Sequence, residues 1–430
     1  MAGQIETSGE EARMRILIAS DHYPPFIGGA HRWASVLAHG LAARGHRVAV
    51  AAPWAGGLAR HEQEGDVSVH RVRQLRTASP ARVKDEGQQH QPPFPDPVSI
   101  ADLRKVIAEE RPAAVLAHGW IAFSLVPALG SSKVPLLLTA HDYGYFCPSR
   151  MLLHHGAVCD GPAPAKCVAC TEDFYGRPKG VATMGGVSTS KHLLRRRING
   201  LASVSSYVGE IHDRHLLAGS ERDIQRYTIP PPILLDPPGQ GAADETVASY
   251  VAQLPQEPYI LFVGAFRKFK GLEVLFDAYR RLDNPPPLAL LGTYEQDTPG
   301  GFPPNATVIT DVPHKAVMAA WDRCMFGVLP SIGPEPLGMV VVEGMSRGKA
   351  VIGTEPGGTS DALRDGAGVL VPKADPEALA VAMSELINDP GKRERIGAAA
   401  QKRARRFEPD HVLAETEQAL EQLLAAGTSR

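Results

Sequence analysis

An alternation that runs twice along the chain constrains the fold more than any other feature. Short apolar runs of strand length stand at Arg15 (RILIAS), Arg47 (RVAVAAP), Ala113 (AAVLAH), Pro135 (PLLLTAHD) and Gly200 (GLASVSS), with helical stretches between most of them. In HRWASVLAHGLAARGH, for instance, Trp33, Val36, Leu37, Gly40 and Leu41 fall on one helix face. Strands alternating with helices are the signature of a parallel sheet wrapped by helices. From Pro230 to Pro258 the chain is dense in proline, glycine and small polar residues, the composition of an interdomain connection. A second series then begins: YILFVGA at Tyr259, LALLGT at Leu288, TVIT at Thr307, FGVLPS at Phe326, KAVIGT at Lys349 and AGVLVP at Ala367. The expected fold class is α/β, two Rossmann-like doubly wound domains in tandem. A length of 430 residues with 43% hydrophobic and 21% charged content can fill two such cores.

The expected organisation is a polar tail at 1–13, a first domain at 14–235 with a cysteine-bearing insertion at 143–180, a linker at 236–257 and a second domain at 258–408. The segment 409–430 is expected to be an amphipathic helix carrying Val412, Leu413, Leu420, Leu423 and Leu424. The first residues, MAGQIETSGEEAR, have no apolar core and do not read as a signal peptide, so a cytoplasmic location is expected. The uncharged span Ala113 to Ser132 contains His118, Gly119, Pro127 and Gly130, and reads as a strand plus a buried helix rather than a membrane span. A formal net charge of -2 exerts no global pull toward nucleic acid or an anionic bilayer. Open α/β sheets bind ligands beyond the carboxyl ends of their strands, so two facing sheets define an interdomain cleft.

Toward that cleft the stretch PEPLGMVVVEGM sets Glu335 and Glu343 with seven residues between them. The kink imposed by Pro334 and Pro336 predicts a helix from about Leu337 or Gly338 to just before Gly348. Free N–H groups at its start suit a phosphate, and Gly338 admits close approach. Glu343 then lies roughly 7 to 8 Å along the axis, within ribose reach, while Glu335 precedes the helix on the side of a donor sugar. Alone, two acids at one spacing are a weak pattern, better read as a solvated helix residue and a loop charge. A second strand end, Glu355 to Thr359 (EPGGT), offers another place for backbone to approach a ligand.

Together with VGAFRKFKGLEVL, DHYPPFIGGAHRWASVLAHGLAARGH, VLAHG at 115 to 119 and LTAHD at 138 to 142, the stretch from Pro330 to Pro372 resembles the family 4 retaining glycosyltransferases of GT-B fold. The resemblance runs over nearly the whole chain. It implies a last helix crossing back to the first domain, a nucleoside diphosphate sugar (UDP-, GDP- or dTDP-linked) as donor, a hydroxyl acceptor, and no cofactor required for catalysis. By it, Glu343 binds the ribose, Glu335 contacts the transferred sugar, Lys270 contacts the pyrophosphate and His118 lies near the donor sugar. The nucleotide-sugar site it implies is Gly28, Gly29, Arg267, Lys270, Glu335, Pro336, Leu337, Gly338, Met339 and Glu343, with His141 and Asp142 on the acceptor side. One departure stands out: the family arginine after the first glycine of the lysine motif is Ala265 here, which leaves Arg267 or Lys268 to serve.

Four of the five cysteines, Cys147, Cys159, Cys167 and Cys170, fall on the Gly/Pro-rich insertion. They fit a structural zinc site, an iron-sulfur cluster or free thiols. KHLLRRRINGL, Lys191 to Leu201, reads as a surface helix packed on the sheet in preference to a membrane-contacting face. Two other function classes stay open: an epimerising or hydrolysing enzyme on the same nucleotide site, and a non-catalytic nucleotide-sugar-binding protein.

Overall fold

A computed structural model describes residues 14–25, 29–76, 91–233 and 245–428. The expected tail, Gly28 and the linker portion 236–244 lie outside the described residues.

In the first domain eight strands run in the spatial order Gln225–Thr228, Gly200–Ser203, Leu136–Ala140, Ala114–His118, Arg15–Ser20, Arg47–Pro53, Val67–Val72 and His61–Glu64. All neighbours are parallel except the last pair, where His61–Glu64 turns back antiparallel on Val67–Val72. The central strands are buried along their length, so apolar side chains point to helix layers on both faces. In the second domain six parallel strands run Ala306–Thr310, Leu288–Gly292, Ile260–Val263, Phe326–Leu329, Val351–Glu355, Val369–Pro372. Counted in chain order this is 3-2-1-4-5-6, the doubly wound arrangement whose ligand crevice lies where the order reverses.

The span Ala113 to Ser132 forms the strand Ala114–His118 and the buried helix Ile121–Leu129. No helix among the described residues is long and apolar enough to cross a membrane. The stretch expected as a plain linker carries a helix, Glu245–Val251, whose buried Val247 helps seat it on the second domain. The basic stretch ends the helix Arg177–Arg197: Leu194, Ile198 and Leu201 enter the core, and Arg197 donates to the carbonyls of Ser132 and Val134 at 3.0 and 2.7 Å.

The last helix, Pro409–Thr428, leaves the second domain and joins the core of the first. Leu413, Ala419, Leu420 and Leu423 pack there with Trp33, Leu37 and Leu41 of the helix Gly29–Ala43. Glu417 fixes the register, accepting from Arg44 at 2.7 Å and meeting His46 Nε2 at 2.8 Å.

Candidate functional site

The second sheet reverses order between Ile260–Val263 and Phe326–Leu329, and the two loops leaving these strands carry Lys270 and Glu335. Their side chains meet: Lys270 Nζ lies 2.6 Å from Glu335 Oε2, both largely shielded from solvent. Backbone laces the loops together, with the N–H groups of Ile332 and Gly333 donating to the Phe269 carbonyl at 2.9 and 3.0 Å. Gly271 makes this approach possible. Its φ is 77°, and a Cβ there would stand 1.9 Å from the Pro330 carbonyl oxygen. A third loop joins where the Gly358 N–H donates to the Glu335 carbonyl at 2.8 Å; a Cβ on Gly358 would meet the Pro336 carbonyl oxygen at 1.7 Å.

Gly338 caps the helix Met339–Ser346, and Leu337 just before it is buried. Glu343, on the second turn, is only 8% exposed and its Oε1 lies 3.1 Å from His314 Nε2, at the start of the helix His314–Arg323. A buried carboxylate needs such a partner, and the imidazole fixes its direction.

Lys373, which sequence reasoning missed, follows the last strand of this sheet and donates to the Gly333 carbonyl at 3.0 Å. Burial pushes its ammonium down to about 8, against the opposing pull of Glu335. The two candidates for the missing arginine face elsewhere: Arg267 pairs with Asp297 at 2.9 Å and stacks over Phe269 at 4.8 Å, and Lys268 lies 3.8 Å from Glu273. Both line a cavity of about 280 Å³ together with Met151, His154 and Phe174 of the insertion.

In the first sheet the reversal lies between Arg15–Ser20 and Ala114–His118, which places Ser20 and His118 side by side at the carboxyl ends. His118 is buried, its Nδ1 is 3.2 Å from Ser20 Oγ, and its ring packs on His141 at 4.3 Å and Trp33 at 4.9 Å. Burial lowers His141 to about 4, so its imidazole is neutral at neutral pH. Burial works to raise Asp142, but Arg150 at 2.7 Å and the Gly144 N–H outweigh it and leave the carboxyl below its usual range. Asp21 accepts from the N–H groups of Trp120 and Ile121 at 2.5 and 2.9 Å; burial nevertheless pushes it up to about 6. Gly29 opens the helix Gly29–Ala43 beside this cluster.

The two sets of strand ends face each other. Tyr143 Oη donates to the Pro334 carbonyl at 2.8 Å, Ser205 Oγ to the Pro336 carbonyl at 2.6 Å and Ser206 Oγ to Asp361 at 2.7 Å. The Glu335 loop is thus the floor of a cleft roofed by the first domain. Arg150, His314 and Lys373 had no motif to mark them, and Asp21, though it opens the stretch DHYPPFIGG, was not singled out. For Asp21 and Lys373 the available signal was position just after a parallel strand.

Cys147, Cys159, Cys167 and Cys170 line one cavity in the insertion, and Cys324 is buried in the second domain.

Two facing doubly wound domains with a crossing last helix define the GT-B fold. It is shared with sucrose-phosphate synthase from Thermosynechococcus elongatus, at a TM-score of 0.66 and 19% identity over 96% of this chain and 99% of that one. Anabaena HepE, solved in complex with UDP, superposes at a TM-score of 0.63 and 17% identity over 95% and 100% of the two chains. Residues 251–403 match the family Glycosyl transferases group 1, and residues 28–183 match the Glycosyl transferase 4-like domain. The chain belongs to this family of glycosyltransferases. A D-inositol 3-phosphate glycosyltransferase from Xylanimonas cellulosilytica is 29% identical over 50% of this chain and 55% of its own length. The chain spans about half the length of the curated relatives it matches.

Proposed function

We propose that this protein transfers a sugar from a nucleoside diphosphate sugar to a hydroxyl acceptor with retention of configuration. One observation carries the reading: Lys270 and Glu335 pair at 2.6 Å at the switch point of the second sheet, beside the capped helix that presents Glu343. In the proposed complex the ribose hydroxyls donate to Glu343, whose other partner is His314. The pyrophosphate lies over the start of the helix Met339–Ser346 and against Lys270. Lys373 supplies the second cation that Ala265 withholds.

The bond between the sugar's anomeric carbon and the β-phosphate oxygen breaks as the acceptor oxygen bonds to the same face. The acceptor proton passes to the departing phosphate oxygen, giving the glycoside and the nucleoside diphosphate. Fixed cations at the leaving group stabilise the charge that develops there; one such preorganised donor is worth about 3 to 4 kcal/mol. Glu335, released from Lys270 when the pyrophosphate takes that ammonium, accepts from a hydroxyl of the transferred sugar. Two similar proteins, an inositol phosphate glycosyltransferase and a protein solved in complex with UDP, support a nucleotide-sugar donor and a polyol acceptor.

The test is a thermal-shift panel of nucleoside diphosphates and nucleotide sugars, followed by transfer assays on polyol acceptors with the anomeric configuration of the product read by NMR. Selective stabilisation by one nucleotide and an unchanged anomeric configuration are expected. An inverted product would refute retention, and donor turnover without acceptor would favour an epimerising or hydrolysing enzyme.

A further inference from the structure

The outer part of the insertion, 153–175, holds together with little core of its own. Its two strands, Leu153–His154 and Ala157–Val158, are two residues each, and its 12-residue helix Pro164–Tyr175 buries a single residue, Thr171. Val158 and Phe174 are exposed. Segments that bury so little apolar surface need a cross-link.

The insertion carries the side chains to make one. Four of the chain's five cysteines converge on one cavity from three separate segments. Cys147 comes from the turn after the strand Leu136–Ala140, Cys159 follows the small hairpin, and Cys167 and Cys170 lie one turn apart on the helix Pro164–Tyr175. The cavity has a volume of about 20 Å³, room for one atom-sized occupant. All four thiols are free.

We propose that Cys147, Cys159, Cys167 and Cys170 bind one zinc ion in tetrahedral thiolate coordination, and that this ion positions the turn carrying Tyr143 and Arg150 at the cleft. Zinc–sulfur bonds of about 2.3 Å set neighbouring sulfurs about 3.8 Å apart. Among the described residues no three of these sulfurs lie within 4.8 Å of one another, so binding draws them inward across the cavity. A change of rotamer carries a cysteine sulfur by about 3 Å, enough to close that gap.

The consequence reaches the site through few bonds. The Cys147 N–H donates to the Tyr143 carbonyl at 2.8 Å and the Arg150 N–H to the Cys147 carbonyl at 3.0 Å. From this turn Tyr143 reaches the Pro334 carbonyl beside Glu335, and Arg150 clamps Asp142. Zinc anchored at Cys147 therefore acts on both walls of the cleft without touching substrate.

Metal analysis of the purified full-length protein tests this, and its outcome does not depend on the glycosyl-transfer reading. About one zinc per chain is expected, released stoichiometrically by a mercurial, and replacement by cobalt should give the visible bands of tetrahedral thiolate coordination. Cys167→Ser/Cys170→Ser should lose the zinc, whereas Cys324→Ser should keep it. Wild-type protein free of metal, disulfide-linked pairs among the four cysteines, bound iron in place of zinc, or zinc retained by the double variant would each overturn the assignment. If the double variant fails to fold, the wild-type metal content and cobalt spectrum still decide. Removing zinc should lower transfer at least tenfold with little change in nucleoside diphosphate affinity. An unchanged transfer rate would overturn the positioning role.

Discussion

Lys373 makes the proposed phosphate site testable without knowledge of the acceptor. Its ammonium is half-titrated at about pH 8 in the free protein, chiefly because burial strips its hydration. A diphosphate beside it restores the charged form and carries its pKa back above the ordinary lysine value of about 10.4. Binding must then draw a proton from solution: about half a proton at pH 8, about three-quarters at pH 8.5 and about one-tenth at pH 7. The same linkage weakens binding roughly 25-fold between pH 7 and pH 9.5. Titration calorimetry in two buffers of different ionisation enthalpy, using the nucleoside diphosphate that stabilises the protein most, reads the uptake directly. Lys373→Met should abolish the uptake above pH 8 and flatten the pH dependence. Wild-type binding with no uptake at pH 8.5, or the same uptake in Lys373→Met, would show that the lysine does not meet the phosphate.

Glu343→Gln should weaken nucleoside diphosphate binding about tenfold, whereas Glu335→Gln should leave it equal or tighter, since it frees Lys270, and should cut transfer by at least a hundredfold; equal losses of affinity in both would contradict the division of roles. Asp21, pushed up to about 6 in the folded state, makes a contribution that is full below about pH 4 and lost as pH rises through 6. Thermal denaturation should therefore favour Asp21→Asn over wild type increasingly from pH 4 to 7, by up to about 3 kcal/mol; a difference that stays constant with pH would refute the raised carboxyl. Leu420→Ala removes a fully buried side chain where the last helix meets the first domain, at an expected cost of about 2 to 5 kcal/mol. Melting temperature and proteolytic release of the helix check it, and wild-type values for both would refute the packing.

The strands whose apolar runs are long enough to be buried on both faces were legible from sequence, which accounts for the two sheets. The edges were not. His61–Glu64 reads HEQE and Gln225–Thr228 reads QRYT; polar strands at a sheet border carry no apolar signal because one side of each faces no further strand. The helix Glu245–Val251 was masked by the proline and glycine on either side of it. In the site, Glu335, Glu343 and Lys270 were found as separate motif positions, but their pairings were not: Lys270 and Glu335 are 65 residues apart and meet only because the sheet reverses between their strands. Likewise the carboxylate of Glu343 looked free for ribose, and only the fold brings His314 to it. The reach of the missing arginine also depended on tertiary geometry. Asp297 engages Arg267, while Lys373, about a hundred residues further on, comes to the Glu335 loop.

The return of the last helix gives the two domains a second connection besides the one that ends near Glu245. A body hung from a single cord can tumble in any direction, but one hung from two swings about the line joining them. Any separation of the two halves of this molecule is thereby reduced toward a door-like rotation. The latch between the halves includes Tyr143 on Pro334, Ser205 on Pro336 and Ser206 on Asp361, and the first two grip the same loop that carries Glu335. Admitting a nucleotide sugar and unfastening that latch are, on this geometry, one movement.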